Sequence, residues 1–124
     1  MLRAAERHYV LQVTRGPDVQ IIASRVELAV DSESRRRGLL GRDHFDEGAA
    51  LIIAPSSAIH TFSMRFAIDV VFVSRDGLVL KTYAAVGPRR IAFRLGAFAV
   101  IELPAGALSG SSLKSGDIVQ LVSR

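Results

Sequence analysis

Cysteine is absent from this chain of 124 residues. Its absence removes disulfides, thiolate metal sites and cysteine nucleophiles, and leaves the redox compartment unread. Lysine is scarce, with only Lys81 and Lys114 among sixteen basic side chains. Long apolar runs are missing too, and no stretch approaches the roughly 20 residues of a membrane span. The opening MLRAAERHYVLQV has no apolar core of signal-peptide length before Glu6 and Arg7. A chain that starts this way is expected in the cytoplasm, with an exported mature domain left open.

What remains is an ordinary folding composition, 49% hydrophobic, in a length that suits a single domain over residues 1–124. The net charge of +4 permits an acidic partner without requiring one. Its arginines are dispersed except at Arg35 to Arg37 and at Arg89, Arg90 and Arg94. Arg35, Arg36 and Arg37 are consecutive, so on a helix they point around it and do not share one face. Nucleic-acid binding is therefore not expected.

Period-two alternation and turn residues place most of the chain in short strands. Tyr9 to Val13 forms a first strand before Gly16-Pro17. Val19 to Val30 is a longer one with a break near Ser24. Asp31 is an N-cap for a short helix whose basic end carries Arg35, Arg36 and Arg37. Strands follow at Ala49 to Ala54, at Leu78 to Val86 after the hairpin signal Asp76-Gly77, at Ala97 to Leu103, and at Ile118 to Val122. A poor helix is expected over Ala105 to Leu113. The expected fold class is mainly β, a sandwich or barrel with one or two short helices.

At the centre lies IHTFSMRFAIDVVF, residues 59–72. Read as one extended ribbon, it puts His60, Phe62, Met64, Phe66, Ile68, Val70 and Phe72 on a single face. His60 is then the lone titratable group on an apolar face, a candidate general base or metal ligand. The plainer reading is a histidine at the start of a strand, bonded to backbone. Asp69 and Glu102 are carboxylates inside apolar strands. A buried carboxylate needs a partner, so each is expected to be tied to an arginine or to backbone N–H groups, for instance Asp69 to Arg90 or Glu102 to Arg37. Placed across a groove, the two would instead suit acid–base work on a glycoside. No spacing among His60, Asp69, Glu102 and Asp117 matches a metal-ligand signature, so neither a metal nor another cofactor is expected.

Several pieces taken in order resemble the DUF192 family, an uncharacterised bacterial and archaeal domain. They are Arg36-Arg37-Gly38-Leu39-Leu40, the ribbon from His60 to Phe72, Asp76-Gly77, Glu102-Leu103-Pro104-Ala105-Gly106, and Gly116-Asp117. Together they span about residues 25 to 122. The chain departs from the family pattern at Ala67, where proline is frequent, and at Ala50, where methionine is frequent. The resemblance implies a compact, jelly-roll-like β sandwich and no accepted activity.

The reading favoured by these residues is a soluble, non-enzymatic β domain. It would bind a small ligand or a protein partner near His60, Thr61 and Met64, with Arg36 and Glu102 in support. The alternative is a hydrolase-like or metal-assisted enzyme acting on a saccharide or other polar substrate through His60 with Asp69 or Glu102. Ligand, partner and oligomeric state are not legible in the sequence.

Overall fold

In the computed structural model, which describes residues 8–124, strands from both ends of the chain meet in one sheet. Residues 1–7, on which the expectation about an export signal rests, lie outside the described residues. β1 (Tyr9–Arg15) pairs antiparallel with β2 (Asp18–Ala23) on one side and with β10 (Ile118–Ser123) on the other. The expected break at Ser24 is a change of sheet. Beyond it, β3 (Arg25–Ala29) becomes an edge of a second sheet, with order β3-β4-β9-β6-β7 once β4 (Ala49–Ile53), β6 (Ile68–Val73), β7 (Val79–Val86) and β9 (Ala99–Pro104) are counted.

β3 and β4 run parallel, a pairing that requires a crossover between them. α1 (Ser32–Arg37) and the loop after it supply that crossover. Asp31 caps the helix as its sequence suggests, accepting from the Ser34 N–H at 2.8 Å. Every other ladder in the second sheet is antiparallel.

β6 is buried at all six positions because both of its faces are covered. Val71, Val73, Ile101 and Leu103 pack towards Leu11, Val13 and Val119 of the first sheet, with Leu108 and Leu113 beside them. Val70, Phe72 and Val100 face the other way, towards Leu39, Ile59, Met64 and Ala92. Each such side chain contributes roughly 1.5–3 kcal/mol by leaving water, so these two clusters hold the sheets together. The sheets pack as layers and no closed barrel forms among the described residues, so the sandwich and not the barrel is the architecture.

The structure corrects the ribbon from His60 to Phe72. It is two strands, β5 (Ala58–His60) and β6, separated by a loop in which Ser63 takes a positive φ of 68°. Phe62 is therefore exposed and Phe66 half-buried, while Met64 alone of the loop's large apolar residues reaches the core. β5 pairs with β8 (Ile91–Phe93), a strand in the arginine-bearing segment between Val86 and Ala97, where the sequence reading placed none. This two-stranded ribbon covers the second core cluster through Ile59 and Ala92.

Asp69 joins these parts. It is 1% exposed, and its carboxylate accepts from three backbone N–H groups: Ala85 at 2.8 Å, Gly106 at 3.1 Å and Leu108 at 2.8 Å. Gly106 and Leu108 open α2 (Ala107–Ser111), a helix whose own N-cap, Gly106, has no side chain to offer. Ala85 lies in a bulge of β7 with φ of 51°. The expected tie of Asp69 to Arg90 is not made. Backbone donors take its place.

The hairpin at Asp76-Gly77 is the other fixed point. Gly77 has φ of 88°, and a Cβ there would lie 2.2 Å from the Val119 carbonyl oxygen, so this turn seats directly on β10. Gly77→Ala should lower stability by about 2 kcal/mol or more, from backbone strain and overlap together, read as a fall in the urea midpoint. Asp69→Ala strands buried donors and should cost about 3 kcal/mol in the same measurement. An unchanged midpoint for Asp69→Ala would show that water replaces the carboxylate at no cost.

Candidate functional site

Strand parity separates the two buried carboxylates. In the β6–β9 ladder, Val70 lies opposite Glu102 and Asp69 lies opposite Leu103. Cross-strand partners share a face and successive residues alternate, so Asp69 and Glu102 project from opposite faces of the central sheet. Asp69 points into the layer between the sheets. Glu102 points with Val70 and Leu51 towards α1 and the ribbon.

On that side lies a cavity of about 220 Å³. Its apolar lining includes Leu39, Ile53, Ile59 and Met64, and its polar lining includes Arg36, His60 and Glu102. Each residue arrives for a local reason. Gly38, with φ of 51°, ends α1 and turns Leu39 into the core. Ile59 and Met64 face inward from β5 and the loop after it. His60 alternates outward from Ile59 and stays exposed at the cavity edge, with its ring 5.4 Å from that of Phe62.

Glu102 is the anomaly in this lining. It is 4% exposed, and its Oε1 has no hydrogen-bond partner. Val70 and Leu51 flank it on both neighbouring strands. Burial pushes its pKa up to about 7, opposed by the charge of Arg42. Arg42 is itself engaged, donating at 2.9 Å to each carboxylate oxygen of Glu27. The expected tie of Glu102 to Arg37 is absent, because Arg37 pairs with Glu33 one helical turn earlier at 2.8 Å. Arg35 donates to the Val30 carbonyl at 2.8 Å. Arg35 and Arg36 have no ion pair among the described residues, and of the three arginines of α1 only Arg36 has no side-chain hydrogen bond there either.

Four of the residues singled out in the sequence therefore share one cavity: Arg36, His60, Met64 and Glu102. Two do not. Thr61 is fully buried and does not line the cavity; its Oγ1 donates to the Gly87 carbonyl at 2.7 Å and accepts from the Arg90 N–H at 2.8 Å. Asp69 is on the far face of the sheet. The lining from Leu39, Ile53 and Ile59 had no signal beyond ordinary hydrophobicity. No cluster of three or more histidine and carboxylate side chains able to hold a metal occurs among the described residues.

A larger cleft of about 620 Å³ lies near Arg25, Glu27, Arg42, His44 and Asp46. There Arg42 pairs with Glu27, and Arg25 donates to the Glu47 carbonyl at 2.9 Å. Its arginines are already satisfied from within the protein.

The sequence matches DUF192, described as an uncharacterized ACR, over residues 10–121. The chain belongs to the DUF192 family. The match reaches back through β1 and β2, further than the motifs alone. Among solved structures, a protein of unknown function from Novosphingobium aromaticivorans DSM 12444 is similar with TM-score 0.77 and 24% identity, covering 90% of this chain and 83% of that one. A protein from Sinorhizobium meliloti 1021, provisionally assigned as a transcription regulator, is similar with TM-score 0.81 and 20% identity, with 97% of each chain covered. At these identities the likeness establishes the fold. No curated protein matches the sequence.

The Glu102 carboxyl makes this DUF192 domain pH-sensitive in a defined direction. Below its ordinary value of 4.5 the group is protonated folded or unfolded. Between 4.5 and about 7 the folded state keeps a proton that the unfolded state has released, so stability falls as pH rises, and the loss is complete above that window. The size of the loss is about 3 kcal/mol. Glu102→Gln should flatten this dependence, raising the thermal midpoint at pH 8 and leaving it near wild type at pH 4.5. Parallel midpoint-against-pH curves for the two proteins would refute the assignment.

Proposed function

We propose that this domain is a non-enzymatic binding module for a small ligand, held in the cavity between α1, β9 and the β5–β8 ribbon. The observation that carries the reading is Glu102, which lines that cavity and whose buried Oε1 has no hydrogen-bond partner. Leaving such an atom unpaired costs free energy, and a ligand donor that meets it recovers that cost. A cavity of about 220 Å³ is smaller than typical drug-sized sites of roughly 300–1,000 Å³, which suits a compact metabolite.

The lining specifies its chemistry. A hydroxyl, amide or amine on the ligand would donate to Glu102, and an apolar body would lie on Leu39, Ile59 and Met64. An acceptor or anionic group would meet Arg36 and His60 at the edge. Thr61 acts at one remove in this reading, by fixing the strand end that carries His60.

A second reading has one observation in its favour. A carboxyl with pKa near 7 is in the range of a general acid or base, and it shares the cavity with an imidazole. The hydrolase-like alternative would thus use His60 with Glu102. It lacks the second carboxylate, since Asp69 is on the opposite face and bound to backbone.

Native mass spectrometry on protein purified without denaturation from its own cells tests the binding reading. The expected result is a small-molecule adduct in the wild type that is lost in Glu102→Gln and in Arg36→Gln, with both variants folded. No adduct, or one retained by both variants, would overturn it.

A further inference from the structure

The inner faces of the two sheets do not stay covered along their whole length. Leu121 lies opposite Leu11 in the β1–β10 ladder, so it shares the face that Leu11 turns towards the second sheet, yet Leu121 is 40% exposed. Leu28 is in the same position on the other side. It pairs with Ile52, and Ile52 with Ile101 of the first core cluster, yet Leu28 is 38% exposed. Cross-strand partners share a face, so both leucines point into the layer between the sheets. Core-facing leucines keep this much contact with solvent only where the layers stand apart, and a cleft of about 490 Å³ opens there. Val30, 58% exposed, continues its wall past the end of β3. The cavity beside Glu102 lies on the opposite face of the second sheet, so the two are separate.

Four polar side chains border the cleft: Ser74, Arg75, Asp76 and Gln120. Ser74 accepts from the Leu78 N–H at 3.1 Å, and Gln120 accepts from the Thr14 hydroxyl at 2.8 Å. Arg75 and Asp76 have no ion pair among the described residues. Position distinguishes them. The Arg75 guanidinium stands 4.1 Å from the centroid of the Phe98 ring, and Phe98 packs against the first core cluster, so the cation is held on the cleft wall. Asp76 is exposed in the turn, with no such support among the described residues.

We propose that this cleft binds a free fatty acid, with the alkyl chain between the sheets and the carboxylate on Arg75. Ligand sites are commonly clefts of roughly 300–1,000 Å³ with apolar walls and a few polar groups that fix orientation. The recess selects the occupant. Its walls belong to two facing layers, so the surface of a folded partner or of a second copy cannot enter between them, whereas an unbranched chain can. A peptide strand there would set its N–H and C=O groups against Leu28, Ile52 and Leu121 without partners. An alkyl chain has no such groups and gains by every methylene it removes from water. The charge of Arg75 then favours a carboxylate over an alcohol or an amine at the head.

Isothermal titration calorimetry of the full chain with decanoate, decanol and decylamine, each below its aggregation limit, tests the proposal. The expected result is one decanoate per chain, bound about tenfold or more tightly than decanol or decylamine. Arg75→Gln should remove that preference and leave decanol binding unchanged. Leu28→Asn with Leu121→Asn should weaken decanoate and decanol alike by about tenfold or more. An unchanged thermal midpoint shows that this double variant stays folded, and Val30→Asn, at a more exposed position, replaces it if the midpoint falls. Arg36→Gln and Glu102→Gln, at the other cavity, should bind decanoate like the wild type. No binding, decylamine bound as tightly as decanoate, or the full preference retained in Arg75→Gln would overturn the proposal. So would loss of decanoate binding in Arg36→Gln, which would place the acid beside Glu102. A concentration-dependent dimer in sedimentation velocity that Leu28→Asn with Leu121→Asn abolishes would make a second copy the occupant and overturn it as well.

Discussion

The carboxylate of Asp69 holds three parts of this protein in register. From the middle of the central sheet it takes backbone N–H groups from the β7 bulge and from the start of α2, which are 16, 37 and 39 residues away in sequence. A charge removed from water at this depth is costly, and charge-assisted hydrogen bonds to fixed backbone donors offset that cost. The bulge at Ala85 and the uncapped start of α2 in turn depend on that oxygen pair, because neither has another acceptor in place. The packing of α2 through Leu108 onto the first core cluster follows from the same contact.

Glu102 is the counterpart on the next strand and has the opposite fate. Both carboxylates are buried in the same sheet, and the β6–β9 register sends them to opposite faces. One face is laid against the three-stranded sheet, with a cleft of about 490 Å³ between Leu11, Val73, Ile101 and Val119. The other is covered by small separate pieces, α1 with its following loop and the β5–β8 ribbon, and a cavity remains where they meet. A carboxylate satisfied by backbone donors in the layer between the sheets stabilises the fold. An unsatisfied one beside a cavity is a poor structural element, and this contrast is why binding is read from Glu102 and not from Asp69.

The ribbon has two unlike faces. Its inner face, Ile59 and Ala92, belongs to the core, and its outer face carries the exposed side chains of Ile91 and Phe93. His60 lies between the cavity edge and that outer face.

Sequence by itself determined most strand positions, the hairpin at Asp76-Gly77, the N-cap at Asp31 and the unusual standing of His60, Asp69 and Glu102. These features are local: alternation, turn chemistry and capping act over a few residues, and a charged side chain within an apolar run is visible without any partner. Tertiary structure alone decided which carboxylate was satisfied, that the central ribbon breaks at Thr61, and that Ile91 to Phe93 forms a strand. Alternation assigns faces within one strand, but the relation between strands depends on register across distant segments. Backbone N–H donors occur at nearly every residue, so the groups that hold Asp69 leave no mark in the sequence. An orphaned oxygen such as Glu102 Oε1 is defined by what fails to reach it, and that is known only once every neighbour is in place.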